Sequence, residues 1–178
     1  MTRNGPTAIS NFSADDIAGH IRELGALLHA CVHAGASVNF VLPYSEADSA
    51  AFWRQKVLPA VREGTRLLLV ARRDERIAGA VQLDTDTPPN QPHRAEVSKL
   101  LVHPDFRRQG IARALMAELE RLASQRGRSL ITLDTRTGDK AEPLYVSLGY
   151  KTAGVIPGYC LDPFEDRLDP TTIMYKAL

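Results

Sequence analysis

Val97-Ser98-Lys99-Leu100-Leu101-Val102-His103-Pro104-Asp105-Phe106-Arg107-Arg108-Gln109-Gly110-Ile111-Ala112-Arg113-Ala114-Leu115-Met116 is the stretch on which the rest of the chain is hung. It reads as an apolar strand, a basic turn and the opening turns of a helix. Pro104 stops the strand, because proline has no backbone donor for a ladder. Beyond it, Ile111, Leu115, Leu119 and Leu122 recur at helical spacing and give one apolar stripe, while Arg113, Glu118, Arg121 and Gln125 fall mostly off it. The turn between strand and helix is where chemistry is expected. The first amides of a helix lack intrahelical partners, and the helix dipole is positive there, so a turn that aims them outward suits an anion such as a pyrophosphate. Gly110 lets a ligand approach the backbone closely, and Arg107, Arg108 and Arg113 add positive charge at the same end. A solvated basic turn with no ligand is the plain alternative.

Neither G-x-x-x-x-G-K-[ST] nor G-x-G-x-x-G is present. Arg107-Arg108-Gln109-Gly110-Ile111-Ala112 fits R-x-x-G-x-A, a form of an acyl-CoA-binding signature. Leu144-Tyr145-Val146-Ser147-Leu148-Gly149-Tyr150 fits L-Y-x-x-x-G-[FY]. With the strand before the turn and the amphipathic helix after it, the chain resembles the GNAT superfamily of N-acetyltransferases. The resemblance implies an α/β (α+β) fold whose mixed, mostly antiparallel sheet is flanked by helices and splays at a cofactor cleft. It implies acetyl-CoA as co-substrate. The pantetheine would lie along the backbone of Leu100, Leu101 and Val102, and the pyrophosphate over Arg107, Arg108, Gln109, Gly110, Ile111, Ala112 and Arg113.

Composition narrows the setting. The chain has 178 residues, is 44% hydrophobic and carries a net charge of +1. That suits one compact domain over residues 1–178, and nothing points to a nucleic-acid or membrane partner. No stretch is apolar enough for a bilayer span, and Met1 to Asn11 shows no apolar signal region. Cys31 and Cys160 are too few for a disulfide framework and read as reduced thiols. A cytoplasmic protein, monomeric or homodimeric, is the expectation.

Taken in order, residues before Asn11 are expected to fray. Ser13 with Asp16 resembles a capping box, and Ile17, Ile21, Leu24, Leu28 and Val32 form one helical stripe. Ser45 with Asp48 starts a second helix through Phe52, Trp53 and Val57, with Pro59 near its end and Gly64 closing it. Thr65–Arg72 and Ile77–Asp84 read as a hairpin turning at Arg73-Asp74-Glu75-Arg76. The strand from Arg94 to His103 leads through the basic turn into the helix ending near Gln125. A strand at Ser129–Thr135, a short helix from about Lys140, and strands at Lys151–Tyr159 and Thr171–Lys176 complete the chain, the last two separated by an irregular loop, Leu161–Arg167.

Acetyl transfer to an amine poses two proton problems: the amine must lose one, and the departing thiolate needs one. Glu96 near the start of the central strand and Asp134 at the end of the next one could pair in a cleft, hold an ammonium group and take its proton. An ordinary carboxylate, with a pKa of about 4, is a poor base for an amine, so burial or a neighbour would have to raise one of them. Solvated carboxylates at strand ends are the alternative. Tyr145 sits where the resemblance places a general-acid tyrosine, and a phenol of pKa about 10 can reprotonate a thiolate. The alternative is a tyrosine packed on the cofactor or in the core. His29 and His33, four apart on a helix, lack a third ligand in sequence, so no metal site is assigned. Cys160 has no neighbouring base, and Trp53 reads as core.

Further runs resemble a toxin-resistance branch of the superfamily: Gly35-Ala36-Ser37-Val38, Arg94-Ala95-Glu96-Val97, Leu133-Asp134-Thr135 and Pro157-Gly158-Tyr159-Cys160. That likeness implies a small-molecule amine acceptor and assigns catalysis to Glu96, Asp134 and Tyr145. Asp139, Lys140, Pro143 and Phe164-Glu165-Asp166 depart from it, as does Gly138 from a common Asn of the superfamily. The other readings are an acetyltransferase acting on proteins or peptides, and a non-catalytic acyl-CoA-binding regulatory module.

Overall fold

The structure, a computed structural model, describes residues 6–178. One seven-stranded sheet runs through it in the order β1-β2-β3-β4-β5-β7-β6. The strands are β1 (Ala8–Asn11), β2 (Arg66–Arg73), β3 (Arg76–Asp84), β4 (Arg94–Val102), β5 (Leu130–Arg136), β6 (Lys151–Leu161) and β7 (Leu168–Ala177). Every neighbouring pair is antiparallel except β4 with β5, which the helix between them makes parallel. This is the mixed, mostly antiparallel architecture expected.

Helices cover both faces. On one lie α1 (Ala14–Gly19), α2 (Ile21–His33), α3 (Glu46–Phe52) and α4 (Leu58–Arg62); on the other, α5 (Ile111–Gln125) and the short α6 (Ala141–Ser147). Strand alternation sorts the core accordingly. Leu67, Leu69, Val81, Leu83, Ala95 and Val97 meet Ile111, Leu115 and Leu119 of α5. Leu68, Val70, Ile77 and Ala80 meet Leu24, Leu28 and Trp53. Gly79 lies under α5, where an added methyl would stand 2.7 Å from the Leu101 carbonyl oxygen and 3.0 Å from Ile111.

Three expectations change. Ala8–Asn11 does not fray: it pairs with Leu69–Arg72 as β1, because Ile9 packs on the core and the β2 edge offers free backbone partners. Residues 1–5 lie outside the described part. The stripe from Ile17 to Val32 is two helices, broken at His20, whose φ of −118° leaves the helical region. The second predicted helix is interrupted by a π-helical turn, Trp53–Val57, before α4 begins with Pro59 in its first turn. Both capping boxes form as read, Ser13 with Asp16 and Ser45 with Asp48.

Candidate active site

The site lies where two strands part. β4 and β5 pair only at Arg94–Leu130, Ala95–Ile131 and Glu96–Thr132. Beyond those residues β4 keeps β3 on one side and, among the described residues, has no strand on the other, while β5 continues with β7. Backbone donors and acceptors along that open edge need a partner, and an extended ligand bearing amides could supply one. A bulge against Val81 adds to the divergence: Lys99 takes φ +51° there, and the alternation of β4 slips. Ala95 and Val97 face α5, and so do Leu100 and Val102, whereas Leu101 faces α2. Lys99 is thereby turned to the α2–α4 face, over the rings of Phe40 and Phe52.

The basic turn follows at the wide end of this cleft. His103 Nδ1 accepts from the Asp105 amide at 3.2 Å and starts a 3-10 turn, Pro104–Phe106, that buries Phe106. Arg108 at φ +61° and Gly110 at φ +80° then swing the chain into α5, which has no side-chain cap. The amides of Ile111, Ala112 and Arg113 precede the first intrahelical bond, from Ala114 N to Gly110 O at 3.0 Å. The space where a side chain of residue 110 would point is open. Gln109 turns away: its amide oxygen accepts from Arg73 and its nitrogen donates to Asp105 O. Arg107 Nε donates to Val102 O at 3.4 Å, and Arg113 donates to Ser147 Oγ at 2.7 Å. Among the described residues Arg108 has no ion pair or hydrogen bond, so its charge is uncommitted. The Val102 carbonyl also accepts from Cys31 Sγ at 3.4 Å, which leaves Leu100 and Leu101 as the less committed backbone of the edge.

Glu96 and Asp134 both lie on the α2–α4 side, opposite Ala95 and Leu133. Glu96 is exposed and paired with Arg94 at 3.3 Å, and Arg94 also donates to Thr132 Oγ1 at 3.0 Å. Asp134 is exposed and accepts from Thr171 Oγ1 at 3.3 Å. The two carboxylates make no direct contact. Tyr145 on α6 is 5% exposed and stacks edgewise on Tyr150, their ring centres 5.7 Å apart. Burial drives its phenol above the usual tyrosine value, and the charges of Asp134 and Asp139 push the same way. The charge of Asp134 is felt by both Tyr145 and Lys99.

Residues that the motifs did not single out gather around the end of β5. Arg136, the last residue of β5, donates to Asp162 at 3.2 Å, to Asp139 at 3.3 Å and to the Gly35 carbonyl at 3.2 Å. It also lies 3.5 Å from Asp169. The loop between β6 and β7, expected to be irregular, is tied down by Asp162, which accepts from the Phe164 and Glu165 amides. Cys160 is half-buried, beside Ser37. Cys31 is buried, and its thiol is pushed up to about 11 by that burial against the pull of Arg107, so it is no ready nucleophile. His33 Nε2 bonds to the Tyr44 carbonyl at 2.9 Å, and among the described residues no group of three His, Cys, Asp or Glu side chains could hold a metal.

The chain has relatives both in sequence and in fold. Human N-acetyltransferase 8 is 38% identical over 87 residues, 48% of this chain and 38% of that protein. Acetyltransferase ECA0875 of Pectobacterium atrosepticum is 38% identical over 91 residues, 51% of this chain and 61% of that one. The matched stretch thus spans less than two thirds of either relative. The Salmonella typhimurium protein yncA, solved with its cofactor acetyl-CoA, shares the fold with a TM-score of 0.77 at 18% identity, over 98% of this chain and 95% of that one. The sequence model of the acetyltransferase (GNAT) family matches residues 32–150, a span holding the parted strands, the uncapped helix and Tyr145 alike; the chain belongs to that family.

Proposed function

We propose that the protein is an acetyl-CoA-dependent N-acetyltransferase whose acceptor is a small-molecule amine. The observation that carries this reading is the coincidence of the strand parting after Glu96 with the uncapped, glycine-led start of α5. Acetyl-CoA fits both features. The amides of Ile111, Ala112 and Arg113 with Arg108 suit its diphosphate, and the open edge at Leu100 and Leu101 suits the amides of its pantetheine arm. When bound, it supplies an acetyl group already activated as a thioester, so much of the enzyme's contribution is orientation.

The chain's own residues account for the proton movements. Asp134 and Glu96 hold the acceptor's ammonium on the α2–α4 side, and one of them, directly or through water, takes the proton the nitrogen must lose before attack. As the new nitrogen–carbon bond forms and the carbon–sulfur bond breaks, Tyr145 donates its phenolic proton to the leaving sulfur. Attack is direct, within a ternary complex. The restriction to small amines rests on the runs that resemble the tabtoxin resistance acetyltransferase, a toxin-inactivating enzyme, and a toxin or antibiotic of that kind is the proposed natural acceptor.

The test is release of free coenzyme A thiol from acetyl-CoA with a panel of small amines, amino acids and peptides, with the acetylated product identified by mass. Release with small amines supports the proposal. Release with peptides alone would transfer the activity to protein acceptors. Tight acetyl-CoA binding without release to any amine would make the protein a sensor of the thioester.

A further inference from the structure

The acceptor-side face of the sheet carries more charge than an amine alone requires. Two pairs on it are internally matched: Arg66 with Asp84 at 2.5 Å, and Arg94 with Glu96 at 3.3 Å. Two groups are not. Among the described residues Asp134 meets no cation at contact distance, and its hydrogen bond comes from the neutral Thr171 hydroxyl. Lys99 meets no carboxylate; its Nζ lies 5.6 Å from the ring centre of Phe40 and 5.8 Å from that of Phe52. The opposite charges sense each other without pairing, while Arg66 opposes the charge on Lys99.

A lysine is a costly choice at this position. Its φ of +51° belongs to a region that non-glycine residues enter under strain. The two phenyl rings strip water from the ammonium, and this desolvation pulls its pKa below the usual lysine value. Ring quadrupoles return only part of the lost hydration. A methionine would fill the same space without the uncompensated charge. Such a cation gains most from an anion brought to it in a partly dry site, where charge-assisted hydrogen bonds are strong.

The geometry points to a dipolar acceptor: an amine that also carries an anionic group, its ammonium held by Asp134 with Glu96 and its anion by Lys99, beside the rings of Phe40 and Phe52. This inference rests on the small-amine reading above and narrows its substrate class. A carboxylate and a phosphonate share the required chemistry.

The experiment compares kcat/KM for matched acceptors in the thiol-release assay: amino carboxylates, their carboxamides and the corresponding aminophosphonates. The wild-type enzyme is expected to prefer the anionic member of each pair by roughly 10- to 100-fold, the range of one charge-assisted contact. In Lys99→Met that preference falls toward unity, chiefly through the KM of the anionic acceptor. Lys99→Arg retains most of it. The carboxylate and phosphonate arms show which anion is the better fit. A wild-type enzyme that treats acid and carboxamide alike overturns the inference while leaving the small-amine reading intact. So does a Lys99→Met variant that keeps the preference, or one with a native denaturation midpoint that loses both acceptors equally. No release with any small amine overturns both. The wild-type comparison needs no variant, so poor folding of Lys99→Met cannot mask the answer.

Discussion

Tyr145 shows what one residue's surroundings do to its chemistry. A phenol pushed above its ordinary value stays protonated well past neutrality, so the proposed acid is present in the right form at every working pH. Replacing it with Phe should lower kcat roughly 100-fold, toward the low end of general-acid contributions, with the KM for acetyl-CoA moving less than about twofold. The raised value also has a sign: the protonated form persists as pH rises, so kcat should show no fall attributable to Tyr145 up to pH ~10, the ordinary tyrosine value. A fall near pH 8 or 9 that vanishes in Tyr145→Phe would contradict this. Tyr145 was legible because a seven-residue pattern surrounds it. Lys99 was not singled out, although a charged residue inside an otherwise apolar run, next to Ser98, was a visible sign that the strand breaks its alternation. Its meaning depends on Phe40 and Phe52, which arrive from distant parts of the chain.

At the scale of elements, the strand–turn–helix around Gly110 carries the cofactor proposal, and two glycines separate its binding from its folding. Gly110→Ala places a methyl in open space at φ +80°, so it should cost about 1–2 kcal/mol of stability from backbone strain. The same methyl intrudes where the diphosphate is proposed to lie, so the KM for acetyl-CoA should rise by about tenfold or more, a loss of ~1.4 kcal/mol. Gly79→Ala has the opposite profile. Its methyl would meet the Leu101 carbonyl at 2.7 Å and must push β3 away from β4 and α5. About 1–3 kcal/mol of destabilisation is expected from this overpacking, measurable as a lower denaturation midpoint in urea. Boundaries of β2, β3, β4 and α5 followed periodicity closely because each buries a regular face. The elements misread were those whose form is settled elsewhere: β1 exists only because β2 offers an edge, and the π-helical turn buries Trp53 and Val57, a choice the local spacing does not reveal.

The whole molecule depends on Arg136 to bring its far parts to the cleft. One guanidinium joins the segment after α2, the end of β5, the approach to α6 and both sides of the β6–β7 loop. None of this was readable from sequence, since Asp139, Asp162 and Asp169 have no motif in common. Amide donors and the charges of Arg167 and Arg136 hold the Asp162 carboxyl below its ordinary value. A lowered value means that folding favours the ionised form. The contribution of Asp162 is therefore complete above its unfolded value of about 3.9 and is lost as pH falls through the lower folded value. Asp162→Asn should flatten that acid limb of the stability curve, measured by denaturation between pH 2 and pH 5. If the loop it secures borders the proposed acceptor site, the KM for the acceptor should rise more than that for acetyl-CoA. The succession of elements along the chain after β1 and the mixed sheet were legible from the β-to-α alternation, and the parting of β4 from β5 was implied by family likeness, whereas the place of β7 between β5 and β6 was not. The register that ends their pairing at Glu96 and Thr132 came only with the structure. Whether this parting and the bare amides of α5 together receive a thioester carrier is decided by a crystal structure grown with coenzyme A. Diphosphate oxygens are expected within ~3 Å of the Ile111 and Ala112 amides, with the pantetheine arm beside Leu100 and Leu101; a diphosphate bound elsewhere, or those amides turned into the interior, rules the cofactor site out.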